Sequence, residues 1–245
     1  MNEPTQTNEP KGEYKPAIMP DTLRELNAMA EDTDDNLEKQ KVEFEKSVLK
    51  KLFEKYPIAE HRSIASISGI EIIACGQDPT ESQMETIVSA IDRIKDKMGD
   101  SIKVFEGVRL YVADLGENGG QALGRESAII VNTSKMGLTV GEMEEQMERA
   151  GRYRKGDQSD IVGSDADAAE LGIVHEFGHI LEYRAHGDLD KGFAKLSPDG
   201  APTYYGAQFP REDYAESWMY YIYDGSITED RKSIIQSDID KLITV

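Results

Sequence analysis

Apolar positions recur with two different periods along this chain, and each period predicts its own kind of element. Over 63–75 the β-branched residues Ile64, Ile67, Ile70, Ile72 and Ile73 predict one or two strands. Asp78-Pro79-Thr80-Glu81 reads as a helix start with cap, N1 proline and N3 acid. Helical spacing then continues through Ile87, Ala90, Ile91, Ile94 and Met98 to Gly99. Over 102–114 alternation returns at Val104, Val108, Leu110 and Val112, predicting strands with a hairpin through Glu106-Gly107. A loop over 115–120 leads to a strand over 126–133, centred on Ala128, Ile129, Ile130 and Val131. A charged helix over 139–150 and a polar loop over 151–163 follow. Ser164, with acids behind it, marks the start of a long apolar helix that Gly187 ends as a C′ glycine. A glycine- and proline-punctuated linker over 188–210 precedes two more helices, over 211–223 and 228–243.

The N-terminal part reads differently. Residues 1–20 hold four prolines and few apolar side chains, which predicts disorder. A short helix is predicted over 21–30, with Leu23, Leu26 and Met29 on one side. A stronger one is predicted over 37–56, from Val48, Leu49, Leu52, Phe53 and Tyr56, and Pro57 ends it. Its lysines and glutamates read as a solvated face, although an amphipathic arm of this kind also offers a docking site for a partner. The expected organisation is a disordered tail over 1–20, a helical segment over 21–60 and one α+β domain over 61–245. In that domain a small mixed sheet precedes the longest helices.

Composition narrows the function. The chain has 245 residues and a net charge of −19, which argues against a nucleic-acid partner. Arg152, Arg154 and Lys155 form a small basic spot that reads as surface charge. Cys75 is the single cysteine, so neither an intramolecular disulfide nor a cysteine metal cluster is available. The polar N-terminus does not read as a signal peptide, and no run is long enough to span a bilayer. The expectation is a soluble cytoplasmic protein with no membrane partner. A virion or a signal-independent export route would leave the same trace.

The candidate chemistry lies in the long helix. His175-Glu176-Phe177-Gly178-His179 matches the H-E-x-x-H pattern. Residues four apart share a helix face, so both imidazoles can bind one zinc ion, and Glu176 can reach a metal-bound water without being a ligand. Three of the four histidines (His175, His179, His186) fall in this segment. A catalytic zinc needs a third protein ligand. A metzincin would carry glycine at 182 and histidine at 185, where this chain has Glu182 and Ala185. His186 is one residue out of register and suits the helix end, where the dipole favours a cation. The third ligand is expected from Arg211-Glu212-Asp213-Tyr214-Ala215-Glu216. Glu212 and Glu216, four apart, can both face the metal helix, one on the metal and the other on a ligand imidazole. Spacing does not choose between them, and Asp213 is a further option.

Taken together, His175-Glu-Phe-Gly-His179, Tyr205-Gly206 and Glu212-x-x-Ala215-Glu216 resemble the catalytic core of the anthrax lethal factor-like zinc metallopeptidases, a gluzincin-type arrangement. The secreted Pro-Pro endopeptidases are similar. The resemblance covers roughly residues 126–224 and does not extend to the first hundred. It implies a zincin-like fold, Glu212 as third ligand, Glu216 behind a ligand histidine and Tyr205 as stabiliser of the oxyanion, with Tyr204 the alternative tyrosine. It also implies that an edge strand before the metal helix, here Ala128, Ile129, Ile130 and Val131, aligns an extended protein or peptide substrate.

The expected activity is therefore that of a zinc-dependent endopeptidase, with Zn²⁺ held by His175, His179 and Glu212, Glu176 as general base and Tyr205 at the oxyanion. Two other classes fit the same pattern. One is a regulatory zinc peptidase that cleaves a repressor. The other is a non-enzymatic structural or interaction protein, such as a phage or toxin-associated component, that keeps zinc as a staple.

Overall fold

A computed structural model describes residues 47–56, 60–116, 121–124, 127–187 and 191–244. The tail expected over 1–20, the helix expected over 21–30 and the first half of the helix expected over 37–56 lie outside the described residues. The chain forms two compact units, Met1–Ser63 and Ile64–Val245. In the first, helix α1 runs over 47–55. His61 caps it locally: its Nε2 lies 2.9 Å from the Tyr56 carbonyl, and its ring lies 5.5 Å from that of Phe53.

A five-stranded mixed sheet carries the α+β architecture. Its strands are β1 (His61–Ile67), β2 (Ile70–Cys75), β3 (Arg109–Ala113), β4 (Gln121–Leu123) and β5 (Ala128–Asn132), in spatial order β1-β2-β3-β5-β4. Ser68 and Gly69 form the two-residue β1–β2 turn, both with positive φ (52° and 80°), as a type I′ hairpin requires. β2 pairs parallel with β3 and β3 parallel with β5, whereas β4 runs antiparallel to β5. A parallel pair needs a crossover, and α2 (Glu81–Met98) supplies the one between β2 and β3.

That crossover corrects the hairpin expected at Glu106-Gly107. The chain leaves α2 through Gly99 (φ 58°) into a 3₁₀ helix, Gly99–Phe105, which buries Ile102, Val104 and Phe105. Apolar positions of a tight 3₁₀ turn fall two and three residues apart, so they imitate strand alternation. β4 was not anticipated, because three residues are too few for any period to show.

Three of the helix starts that frame the site are set by side chains. Thr80, two residues past the expected cap Asp78, forms a capping box with Gln83 at the start of α2. Thr139 does the same with Glu142 for α3 (Val140–Arg149). The metal-motif helix α5 (Ala168–His186) is capped by Asp167 rather than Ser164. Asp167 Oδ1 accepts from the Ala169 N–H at 2.8 Å, and its Oδ2 accepts from Thr86 Oγ1 at 2.7 Å, tying α5 to α2. Gly187 (φ 71°) ends α5 in the left-handed conformation expected of it. The loop over 151–163 contains the short α4 (Ser159–Val162). The linker contains α6 (Tyr204–Gln208), and α7 (Pro210–Ile222) and α8 (Glu229–Ile243) complete the unit.

The packing of α5 against α7 positions the site. Residues 213–220 of α7 are buried without interruption, as in a helix enclosed on all sides. Trp218 Nε1 donates to the Val174 carbonyl at 3.0 Å, and Phe105 meets both Phe177 and Trp218 edge-on. Gly178, inside the metal motif, permits the contact. A Cβ there would stand 2.8 Å from Ala215 Cα and 2.9 Å from Trp218 Cδ1. Among the described residues no helix is long and apolar enough to cross a membrane.

Candidate metal centre

The α5–α7 contact sets the first turn of α7 across from one face of α5. His175, His179 and Glu212 present ligand atoms that all lie within 4.8 Å of one another. Nε2 of His175 and Nε2 of His179 each stand 3.2 Å from Glu212 Oε2. The rings meet edge to face, 4.9 Å between centroids. On its other side, His175 directs Nδ1 at Glu216 Oε1, 2.9 Å away, and Glu216 is wholly buried.

The donor set asks for positive charge. With Nδ1–H committed to Glu216, Nε2 of a neutral His175 carries a lone pair, and it faces a carboxylate oxygen. Either a proton or a metal cation must lie between them. Burial alone would lower the pKa of His175, but Glu212 and Glu216 hold it well above 6.5. Burial alone would raise that of Glu212, but His175 and His179 hold it far below the usual carboxylate range. The spacing also suits zinc. Tetrahedral ligands at bonds of about 2.0–2.1 Å stand about 3.3 Å apart, close to the 3.2 Å separations here. Two imidazoles and a carboxylate are a zinc donor set, so the residues present fit the ion. Nδ1 of His179 is buried with no hydrogen-bond partner among the described residues, so the carboxylate support falls on His175 alone.

Glu176, half-buried and next along the helix, points at the sheet edge. Its Oε2 accepts from the backbone N–H of Ala122 on β4 at 2.6 Å. Tyr205, in α6, stacks edge-on against Tyr153 (5.6 Å) and packs on Phe209 (5.2 Å). Burial and the nearby Glu212 carboxylate push its hydroxyl up to about 12, so it keeps its proton at neutral pH. The alternative tyrosine, Tyr204, instead lies under the Arg154 guanidinium, 4.2 Å from ring to cation. That contact gives one member of the basic spot a packing role.

Two readings of the sequence change, and that of His186 holds. Ala128, Ile129, Ile130 and Val131 do not form an edge strand, because β5 pairs on both sides, with β3 and with β4. Their continuous apolar run is that of a buried central strand, and the edge belongs to β4. Asp213 is not beside the two histidines. It forms a buried ion pair with Arg231, whose Nε donates to Oδ1 at 3.0 Å. His186, at the helix end, bonds Asp238 at 2.8 Å, a carboxylate that also accepts from Tyr214. Tyr153, Gln158 and Ala122 were missed. Ala122 acts through its backbone and leaves no side-chain signal, and Tyr153 and Gln158 sit in a stretch that reads as polar loop.

No family model matches the chain, and neither the curated proteins nor the solved structures contain a match to it.

Proposed function

We propose that this protein is a zinc-dependent endopeptidase with a zincin-like catalytic unit, akin to the lethal factor-like metallopeptidases. The observation that carries the reading is the convergence of His175, His179 and Glu212 with Glu216 behind His175 and Glu176 beside them. A structural staple has no use for that last carboxylate. The mixed sheet, with its antiparallel edge strand next to Glu176, supports the same reading.

His175, His179 and Glu212 would hold the metal. When bound, zinc would lower the pKa of a coordinated water to about 7 and polarise the scissile carbonyl. Glu176 would accept the water's proton and pass it to the leaving amine. The Ala122 N–H steadies Oε2, leaving Oε1 as the atom that takes the proton. Tyr205, protonated throughout the neutral range, would donate to the oxyanion. The substrate would be a protein segment in extended form, aligned along the β4 edge of the sheet and so carried past Glu176.

The test is incubation of the zinc-loaded protein with a mixed peptide library, with cleavage read by mass spectrometry. Cleavage that Glu176→Gln abolishes supports the proposal, and a library left intact by the zinc-loaded wild type contradicts it.

A further inference from the structure

We propose that Tyr153 is a positioning residue that bridges the carboxylate supporting one metal ligand and the oxyanion tyrosine. The inference rests on the peptidase reading and adds a residue outside its motifs. Tyr153 is buried in the loop before α4, and its hydroxyl lies 3.1 Å from Glu216 Oε1, the oxygen that also takes the His175 Nδ1–H. Gln158 Nε2 donates to the same hydroxyl at 2.9 Å. A hydroxyl that accepts from Gln158 has its own proton free, and that proton goes to Glu216. The other Glu216 oxygen is buried with no hydrogen-bond partner among the described residues. Both of the carboxylate's donors, His175 and Tyr153, therefore act on one atom. In a site this dry the loss of either leaves charge poorly compensated.

The loop is built to hold this arrangement. Glu144 of α3 accepts from the N–H groups of Gln158 (2.5 Å) and Ser159 (2.8 Å) and from the Ser159 hydroxyl (2.7 Å). This fixes the turn that carries Gln158. On its other face the Tyr153 ring meets Tyr205 at 90°, with centroids 5.6 Å apart. One side chain thus sets both the tilt of His175, through Glu216, and the seat of Tyr205.

The experiment is a double-mutant cycle on zinc affinity in the full chain, measured by competition with a chromophoric chelator. Its members are wild type, Y153F, E216A and Y153F/E216A, with metal-free melting curves as the folding control. Outer-shell partners of a ligating histidine typically matter about 10- to 100-fold in metal affinity. Y153F is expected to weaken zinc about tenfold in the wild-type background and less than about twofold once Glu216 is gone. An equal loss in both backgrounds, or none in either, overturns the bridge. Y153L is expected to match Y153F in zinc affinity but to lower kcat further at saturating zinc with KM held, because the ring contact with Tyr205 is lost. Equal kcat values for the two overturn that half. Should Y153F fail to fold, Q158L, which removes the donor orienting the hydroxyl, is expected to weaken zinc with the same dependence on Glu216. Zinc uptake by the wild type with a flat cycle rejects only the bridge. A wild type that takes up no zinc rejects the metal reading itself.

Discussion

His175 has a donor bond to Glu216 on one nitrogen and an acidic oxygen facing the other, so in the metal-free chain it holds a proton to well above pH 6.5. A metal must displace that proton, whereas Glu212, with its depressed pKa, has none to lose. The sign follows: zinc affinity falls on acidification, by about tenfold per pH unit for one displaced proton. Calorimetry in buffers of different ionisation enthalpy should show about one proton released per zinc at pH 6, and none released would contradict the assignment. Glu176→Gln should keep the metal and lower kcat by about 10²- to 10⁴-fold. Tyr205→Phe should lower kcat on the order of a hundred-fold with zinc content unchanged. Steady-state kinetics beside metal analysis checks both. At this scale the sequence was informative where the chemistry has a fixed spacing: His175, Glu176 and His179 stand out unaided. Spacing left Glu212, Glu216 and Asp213 open, and only the ion pair of Asp213 with Arg231 and the bond from His175 to Glu216 separate their roles.

Helices α5 and α7 must approach closely for a carboxylate on one to meet two imidazoles on the other. Gly178 is the residue that allows it. Gly178→Ala would drive a Cβ against the Ala215 backbone and the fully buried Trp218 side chain, neither of which has room to move aside. The expected cost is about 1–3 kcal/mol of stability together with weaker zinc binding, read from thermal melts and chelator competition. An unchanged melting temperature would show that α7 moves aside freely. The long helices α2 and α5 were legible in the sequence because each carries several turns of apolar spacing between a capping side chain and a closing glycine, Gly99 and Gly187. The short elements were not. A three-residue strand and a 3₁₀ turn span too little chain for a true period to emerge, so β4 went unseen and residues 102–105 read as strand. Missing β4 also misplaced the sheet edge, since β5 looks like an edge only when its outer neighbour is unknown.

As a whole, the Ile64–Val245 unit brings His175, His179 and Glu212 together, and on the proposed reading an ion held there would add to the fold's stability. A cation that binds the folded chain and not the unfolded one adds about 4 kcal/mol at a thousandfold excess over its Kd. For a unit of this size that is a rise in melting temperature of about 10 °C. The rise should be reversed by a chelator and should be absent in Glu212→Ala. The α+β class and the order of sheet before the metal-motif helix could be read from the changing period of apolar residues. The topology of the sheet could not, because it depends on pairings between distant segments. The most direct test of the account is zinc content by elemental analysis of freshly purified and zinc-reconstituted protein, for wild type, Glu176→Gln and Glu212→Ala together. The expected result is about one zinc per chain in the first two and a marked loss in the third. No zinc in the wild type after reconstitution, or full retention in Glu212→Ala, would contradict the site as described.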